Sequence, residues 1–333
     1  MTLKRTAILG TGGWGTALAL LWASGGNEIT LWGHTPERVE TISRTRENQD
    51  YLPGPELPPN VCLTSQLADC AAADVIVFVT PSVALREVAT LLQEQLTNPS
   101  VVLLSCTKGI EHGTGMRMSE ILAEKFPANP IAVLSGPNLA VEVARGLPSA
   151  TVLGCRDEGI AEALQTTLGS SRFRVYTSHE ITGIELGGAL KNIFAIPAGV
   201  SDGFGFGDNS KAALVTRSLA ELLRLGVAMG GDPRTFQGLS GAGDLIATCF
   251  SRHSRNRQVG EQLGKGKSLE EITRGTKTVA EGIPTSRGAF EWARKLGLET
   301  PIIDQVYAVL HEGKAPAQAL QELLGRDQKS ERG

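Results

Sequence analysis

Gly10-Thr11-Gly12-Gly13-Trp14-Gly15 stands directly after a short apolar run at residues 6–9 and directly before a helical pattern at 14–23. In that position G-x-G-x-x-G has a physical reading. The first glycine permits a tight turn, the second lets backbone N–H groups approach a pyrophosphate, and the third lets the helix pack on the strand. The pyrophosphate would lie at a helix N-terminus, where unpaired N–H groups and the macrodipole favour an anion. The stretch predicts a dinucleotide site cradled by Gly10, Gly12, Gly13 and Gly15, the alternative being an incidental glycine turn.

Outward from this turn the chain alternates. Apolar runs at 29–32, 75–79, 101–104, 131–134, 150–153 and 173–176 are mostly separated by helical stretches, among them 36–46, 84–96 and 116–126. Unbroken apolar strands spaced by helices predict a mainly parallel sheet covered on both faces. The strand signal stops near Ser178, and amphipathic segments follow at 180–195, 211–229, 279–296 and 301–311. This places an α/β N-terminal Rossmann domain at 1–178 and an all-α C-terminal domain at 179–333.

Composition narrows the function. The 333 residues suit two domains of about 100–200 residues each. A net charge of −3 offers no general attraction to nucleic acid or to an anionic membrane. The longest apolar run, Ala17 to Ala23, falls far short of the roughly 20 residues of a membrane span. The apolar stretch at 7–9 is too short for a secretory signal. Five scattered cysteines without a C-x-x-C pair read as reduced thiols in a cytoplasmic protein, with neither a disulfide framework nor a metal site. Glycine is enriched, 39 of 333 against about 7% in average chains, and clusters at turns and strand ends, which favours a ligand-binding enzyme.

An NAD-specific site usually ends its second strand with Asp or Glu for the ribose 2′-hydroxyl. Here the run at 29–32 leads into Gly33-His34-Thr35 with no acid, and Arg38 follows. His34 and Arg38 could face a 2′-phosphate, so the cofactor is expected to be NADPH or NADH, with NADPH preferred. His34 as a surface turn residue is the alternative.

Several side chains carry the chemistry. Lys108 closes a strand and would point into the crevice beyond the sheet's carboxyl edge. Lys191 lies within the helix expected at 180–195, with Gly187, Gly188 and Ala195 at i−4, i−3 and i+4. An amine on a face stripped of bulk suits a small substrate better than solvent. Asp244, after Ser240-Gly241-Ala242-Gly243, could cap a helix or serve as counter-charge to a buried lysine, with Thr248 one turn on. Arg252, Arg255 and Arg257, among Ser and Asn at a helix start, read as an anion site. The stretch 199–209 reads as a mobile loop near the site, and its phenylalanines spoil a calcium pattern.

Taken together these residues closely resemble the bacterial NAD(P)-dependent glycerol-3-phosphate dehydrogenases. The matching pieces are the glycine turn through Ala19, Pro81-Ser82 with Arg86, Thr107-Lys108-Gly109, Ser135-Gly136-Pro137 and Glu185 through Asn192. Further matches are Gly207-Asp208-Asn209, Gly241 through Leu245, Ser254-Arg255-Asn256 and Glu281-Gly282. They run in family order over nearly the whole chain. Asn138 stands where Ser or Thr is usual, Leu139 where Phe is usual, and Thr35 where a second basic residue is common.

The resemblance implies a Rossmann domain followed by an all-α domain like the C-terminal one of 6-phosphogluconate dehydrogenase. It implies interconversion of dihydroxyacetone phosphate and sn-glycerol 3-phosphate, the phospholipid backbone precursor, in a homodimer. By position Lys191 is the proton donor and acceptor, and Lys108, Asn192, Asp244 and Thr248 complete the catalytic set. Gly136 and Asn138 contact the substrate, and Ser254, Arg255 and Asn256 its phosphate. Trp14, His34, Lys108, Ala140, Arg255, Val279 and Glu281 contact the cofactor. A β-hydroxyacid dehydrogenase or a non-catalytic NAD(P)-sensing regulator are the competing readings.

Overall fold

The computed structural model describes residues 3–274, 279–327 and 330. Ten strands form: β1 (Arg5–Leu9), β2 (Glu28–Trp32), β3 (Glu47–Asn48), β4 (Leu52–Glu56), β5 (Val61–Thr64), β6 (Val75–Phe78), β7 (Val102–Ser105), β8 (Ile131–Ser135), β9 (Ser149–Cys155) and β10 (Phe173–Ser178). Eight of them make one sheet in the order β10-β9-β8-β7-β6-β1-β2-β5, while β3 and β4 form a separate antiparallel pair. Among the described strands of the sheet the β8–β9 pair alone is antiparallel, so β9 and β10 run opposite to the other six. Strand order reverses at β1, which opens a crevice beyond the carboxyl ends of β1 and β6. The glycine turn stands at that point.

Helices α1 (Gly13–Ser24), α2 (Pro36–Thr45), α3 (Leu85–Gln93), α4 (Met118–Lys125), α5 (Ala140–Ala144) and α6 (Glu158–Leu168) connect the strands. Strand residues alternate between two cores. Ile8, Val75 and Val77 pack with Leu18 and Trp22 of α1 and Leu164 of α6, whereas Leu9, Ile76 and Phe78 pack with Val88 of α3 and Ile121 of α4. A sheet covered on both faces explains the unbroken apolar runs. Two features escaped those runs. β5 is an edge strand with three partly or fully exposed residues, and β4 holds Pro53 and Pro55, which argue against a strand.

After Ser178 the described residues form helices only: α7 (Ile181–Gly203), α8 (Asp208–Ala228), α9 (Pro233–Phe236), α10 (Asp244–Phe250), α11 (Arg255–Gly264), α12 (Leu269–Thr273), α13 (Gly282–Lys295), α14 (Pro301–His311) and α15 (Pro316–Leu324). None is long and apolar enough to cross a membrane. α7 is the axis of this domain and is buried on nearly all sides.

The loop expected at 199–209 is shorter, only 204–207. α7 continues through Pro197 to Gly203, and α8 begins at Asp208. Gly199 and Gly203 face Gly260 and Gly264 of α11 in a seam where any Cβ would overlap the opposing backbone. These glycines serve close packing of two helices rather than loop freedom.

Candidate active site

Gly10 adopts φ +131°, open to glycine, and a Cβ there would stand 2.7 Å from the Val79 carbonyl oxygen. A Cβ on Gly15 would overlap the Gly10 carbonyl oxygen, so α1 packs directly onto the turn. Gly12 differs: nothing lies within 4 Å of its Cβ position. Its openness faces the N-terminus of α1, which has no side-chain cap and no acid in its first turn. The N–H groups of Gly13, Trp14 and Gly15 find no acceptor among the described residues. An uncapped helix end beside an open glycine fits a pyrophosphate. Ala140 starts α5 against this turn, its Cβ 3.9 Å from the Cβ position of Gly13. Asn48 braces the turn by donating to the Thr11 carbonyl, 2.8 Å, and to the Thr16 hydroxyl, 2.7 Å.

His34 is exposed just past β2 and meets Trp32 edge-on at 6.3 Å between ring centres. Arg38 is already engaged, over the Tyr51 ring at 5.0 Å and 3.8 Å from Asp50. Val279 is exposed two residues before Glu281. Glu281 accepts from the Ser82 N–H, 3.1 Å, and the Ser82 hydroxyl, 2.5 Å, and so ties the two domains beside Gly109.

The two lysines meet on one carboxylate. Lys108, from the end of β7, donates to Asp244 Oδ2 at 2.6 Å and to the Gly136 carbonyl at 3.0 Å. Lys191, from α7, donates to Asp244 Oδ1 at 2.9 Å and to the Thr248 hydroxyl at 2.6 Å. Asp244 is 2% exposed and Lys191 7%. Each ammonium has three N–H donors, so one on each lysine remains for a ligand. Burial pushes the Lys191 amine down to about 8; Asp244 opposes this and Lys108 adds to it. Burial also acts to raise the Asp244 carboxyl, but Lys108 and then Lys191 outweigh it and hold it below the ordinary range. Asp244 opens α10 without a side-chain capping bond, so it acts here as counter-charge. A single π turn at Leu239–Gly243 precedes it, and the absence of a side chain at Gly187 lets that turn approach α7. Gly188 makes room on the other side, for Ser135 and the Lys108 stem.

Beyond the lysines lies the start of α11. Ser254 caps it by accepting from the Arg257 N–H, 3.2 Å, which leaves the Ser254 O–H free to donate. The Arg255 and Asn256 N–H groups have no acceptor among the described residues. Arg255 keeps an accessible surface, yet burial lowers its pKa, the combination expected of a cleft wall. Glu281 and Tyr51 are the groups acting on it by charge. Asn256 donates to Asn192 Oδ1, 2.9 Å, and accepts from the Gly282 N–H, 2.9 Å, so it joins α7, α11 and α13. Asn192 is thereby engaged with protein, and Asn138 likewise donates to the Ala150 carbonyl, 3.0 Å.

One arginine of the expected anion site is elsewhere. Arg257 turns inward to Asp202 and Glu261, where it joins Lys211 in a partly buried cluster. Helical periodicity explains the error: Arg255 and Arg257 are two residues apart and face different sides. Asn48 and the Asp202 cluster were missed because each acts across a long sequence separation and carries no motif; Ser82 entered only through the resemblance, without its partner Glu281 199 residues away.

Two family models match the chain. One, described as NAD-dependent glycerol-3-phosphate dehydrogenase N-terminus, covers residues 5–161, and the corresponding C-terminus covers residues 180–321. The chain is 47% identical to a glycerol-3-phosphate dehydrogenase (NAD(P)+) of Streptomyces coelicolor, over 98% of each chain. It is also 47% identical to one of Thermobifida fusca, over 99% of each. Among solved structures, glycerol-3-phosphate dehydrogenase from Coxiella burnetii is 38% identical, with a TM-score of 0.94 over 97% of this chain and 99% of that one.

Proposed function

The chain belongs to the NAD-dependent glycerol-3-phosphate dehydrogenase family, and on that premise we infer that it reversibly reduces dihydroxyacetone phosphate to sn-glycerol 3-phosphate, using NADH or NADPH. When bound, the nicotinamide supplies a hydride to the carbonyl carbon. Lys191 gives a proton to the carbonyl oxygen in reduction and takes it back in oxidation. Lys108 stabilises the developing negative charge with its remaining N–H, from the opposite side of Asp244. Asp244 and Thr248 orient the Lys191 amine. The Arg255 guanidinium, the Ser254 hydroxyl and the free N–H groups of α11 hold the phosphate and so position the reacting carbon. Asn192 and Asn256 keep the phosphate helix in register with α7.

The observation that carries this reading is the meeting of two lysines, one from each domain, on a single buried carboxylate with one N–H left on each. NADPH absorbance should fall when dihydroxyacetone phosphate is added, and a hydroxyacid substrate should give no turnover. Lys191→Ala should cost orders of magnitude in kcat while still binding NADPH; near-normal turnover would sink the assignment.

Three further points belong to the same proposal. NADPH is preferred, supported by the absence of an acid directly after β2 and by exposed His34 there; a strong NADH preference in kcat/KM would reject it. The domain boundary falls at 178/179, supported by the end of β10 at Ser178 and the start of α7 at Ile181. The protein is a cytoplasmic homodimer. Five unpaired cysteines support the compartment. An apolar groove of about 950 Å³ between α7, α8, α14 and α15, walled by Phe204, Phe206, Leu214, Leu320, Leu323 and Leu324, supports the dimer.

A further inference from the structure

Lys108 and Lys191 belong to different domains, so contacts beyond their shared carboxylate must hold those domains in register. The stretch that carries Lys108 continues into Ile110, which is buried in the core of the helical domain. Its Cγ2 lies 3.5 Å from the Cβ position of Gly288 in α13. The chain then folds back: Ile110 bridges Arg117, and the Glu111 N–H donates to the Met116 carbonyl at 2.9 Å. At the turn, Gly115 adopts φ +70° directly under the Trp292 indole nitrogen, where a side chain would overlap. On the sheet side Arg86 grips Glu111 with two bonds, 2.7 and 2.8 Å.

On the helical side the returning segment meets Glu185 of α7. Arg117 donates to Glu185 Oε2 at 2.7 Å, the Ser119 N–H donates to Oε1 at 2.9 Å, and the Ser119 hydroxyl donates to Oε2. Glu185 is 8% exposed. Thus α4, in the sheet domain, begins on a carboxylate supplied by α7, where its first N–H groups and dipole favour negative charge. Gly188 is an i,i+3 neighbour of both Glu185 and Lys191 on the surface of α7 and so lies between them. The Lys108 stem crosses α7 at Gly188, its Cδ 3.6 Å from the missing Cβ.

We propose that Glu185 is a positioning residue for the reaction: with Arg117, Ser119 and the Ile110 turn it locks α7 to the sheet domain, so that Lys108 and Lys191 keep their spacing on Asp244. The inference rests on the reading of Lys191 as proton donor. Glu185 acts through the lysines and needs no contact with substrate.

Glu185→Gln keeps the volume and an acceptor but removes the buried counter-charge of Arg117, leaving it only the more exposed carboxylate of Glu120 at 2.7 Å. Small misplacements of reacting groups are costly, so E185Q should lower kcat for dihydroxyacetone phosphate reduction by about 10- to 100-fold. The NADPH Kd, read by fluorescence titration, should stay within about twofold, because the glycine turn is untouched. A loosened pair also leaves Lys191 less buried and farther from Lys108, so the basic limb of the rate profile should move to higher pH. The other groups facing Lys191 are Asp244 and Cys249, and neither is altered. In a Lys191→Ala background E185Q should add no further loss. Ser119→Ala removes one donor without touching charge and should shift kcat and the limb in the same direction; it carries the test should E185Q not fold. If either folded variant lowers only the melting temperature, with kcat and the limb at parental values, Glu185 is structural and the proposal fails. Normal turnover by Lys191→Ala would instead defeat the proton-donor reading, and this inference with it. A dead Lys191→Ala beside an unimpaired E185Q would overturn this inference alone.

Discussion

At the scale of single residues, the environment of Lys191 decides its chemistry. An amine with a pKa near its usual 10.4 would be a poor base at neutrality, and burial brings this one to about 8. Reduction needs the protonated amine, so its kcat/KM should fall as pH rises through about 8; oxidation needs the free amine and should rise over the same interval. A profile flat across that interval in both directions would remove Lys191 from the proton transfer. Asp244→Asn deletes the group that opposes the depression, so the limb should move to lower pH and kcat should drop by roughly 100-fold or more. Arg255→Ala should raise KM for the phosphorylated substrate about 10- to 100-fold with a smaller change in kcat, as expected for lost charge-assisted bonds. An unchanged KM would place the phosphate elsewhere. Lys108, Lys191 and Asp244 were legible in sequence because glycines or a strand end mark their positions. Glu185 was legible only as part of a resemblance, since nothing local shows that its partners are Arg117 and Ser119, 68 and 66 residues away.

At the scale of elements, the seam between α7 and α11 links the two halves of the proposed chemistry. α7 carries Lys191, α11 begins with Arg255 and Asn256, and four glycines bring the helices into backbone contact. A Cβ at Gly260 would overlap the Ile196 carbonyl oxygen, with backbone on both sides and no flexible side chain to yield. Gly260→Ala should therefore cost at least roughly 1–3 kcal/mol, visible as a lower denaturation midpoint, and should raise the substrate KM as α11 is pushed away. Wild-type stability in that variant would mean the seam is looser than its geometry implies. Glycine content read from sequence suggested a mobile loop at 199–209; Gly199 and Gly203 proved to be packing surfaces, while Gly205 and Gly207 stand open in the short connection between α7 and α8. Sequence counts the missing side chains but does not say whether solvent or another helix fills the space.

At the scale of the molecule, the groove beside α15 bears on assembly. Leu324 is 76% exposed at its edge. Leu324→Glu should shift the proposed homodimer to half its mass in light scattering, whereas a wild-type monomer would reject the dimer outright. By itself the sequence determined the α/β half, its mainly parallel sheet, the helical half and the glycine turn, because hydrophobic period and glycine spacing are local properties. It also marked the two lysines and the aspartate. Only the tertiary structure decided which groups share a carboxylate, that Arg257 faces inward, that β9 and β10 run against the rest of the sheet and that the Lys108 turn is anchored in the other domain. Those are matters of where distant segments meet. The free energy of such a meeting comes from burial and charge pairing across space, which no short window of sequence contains.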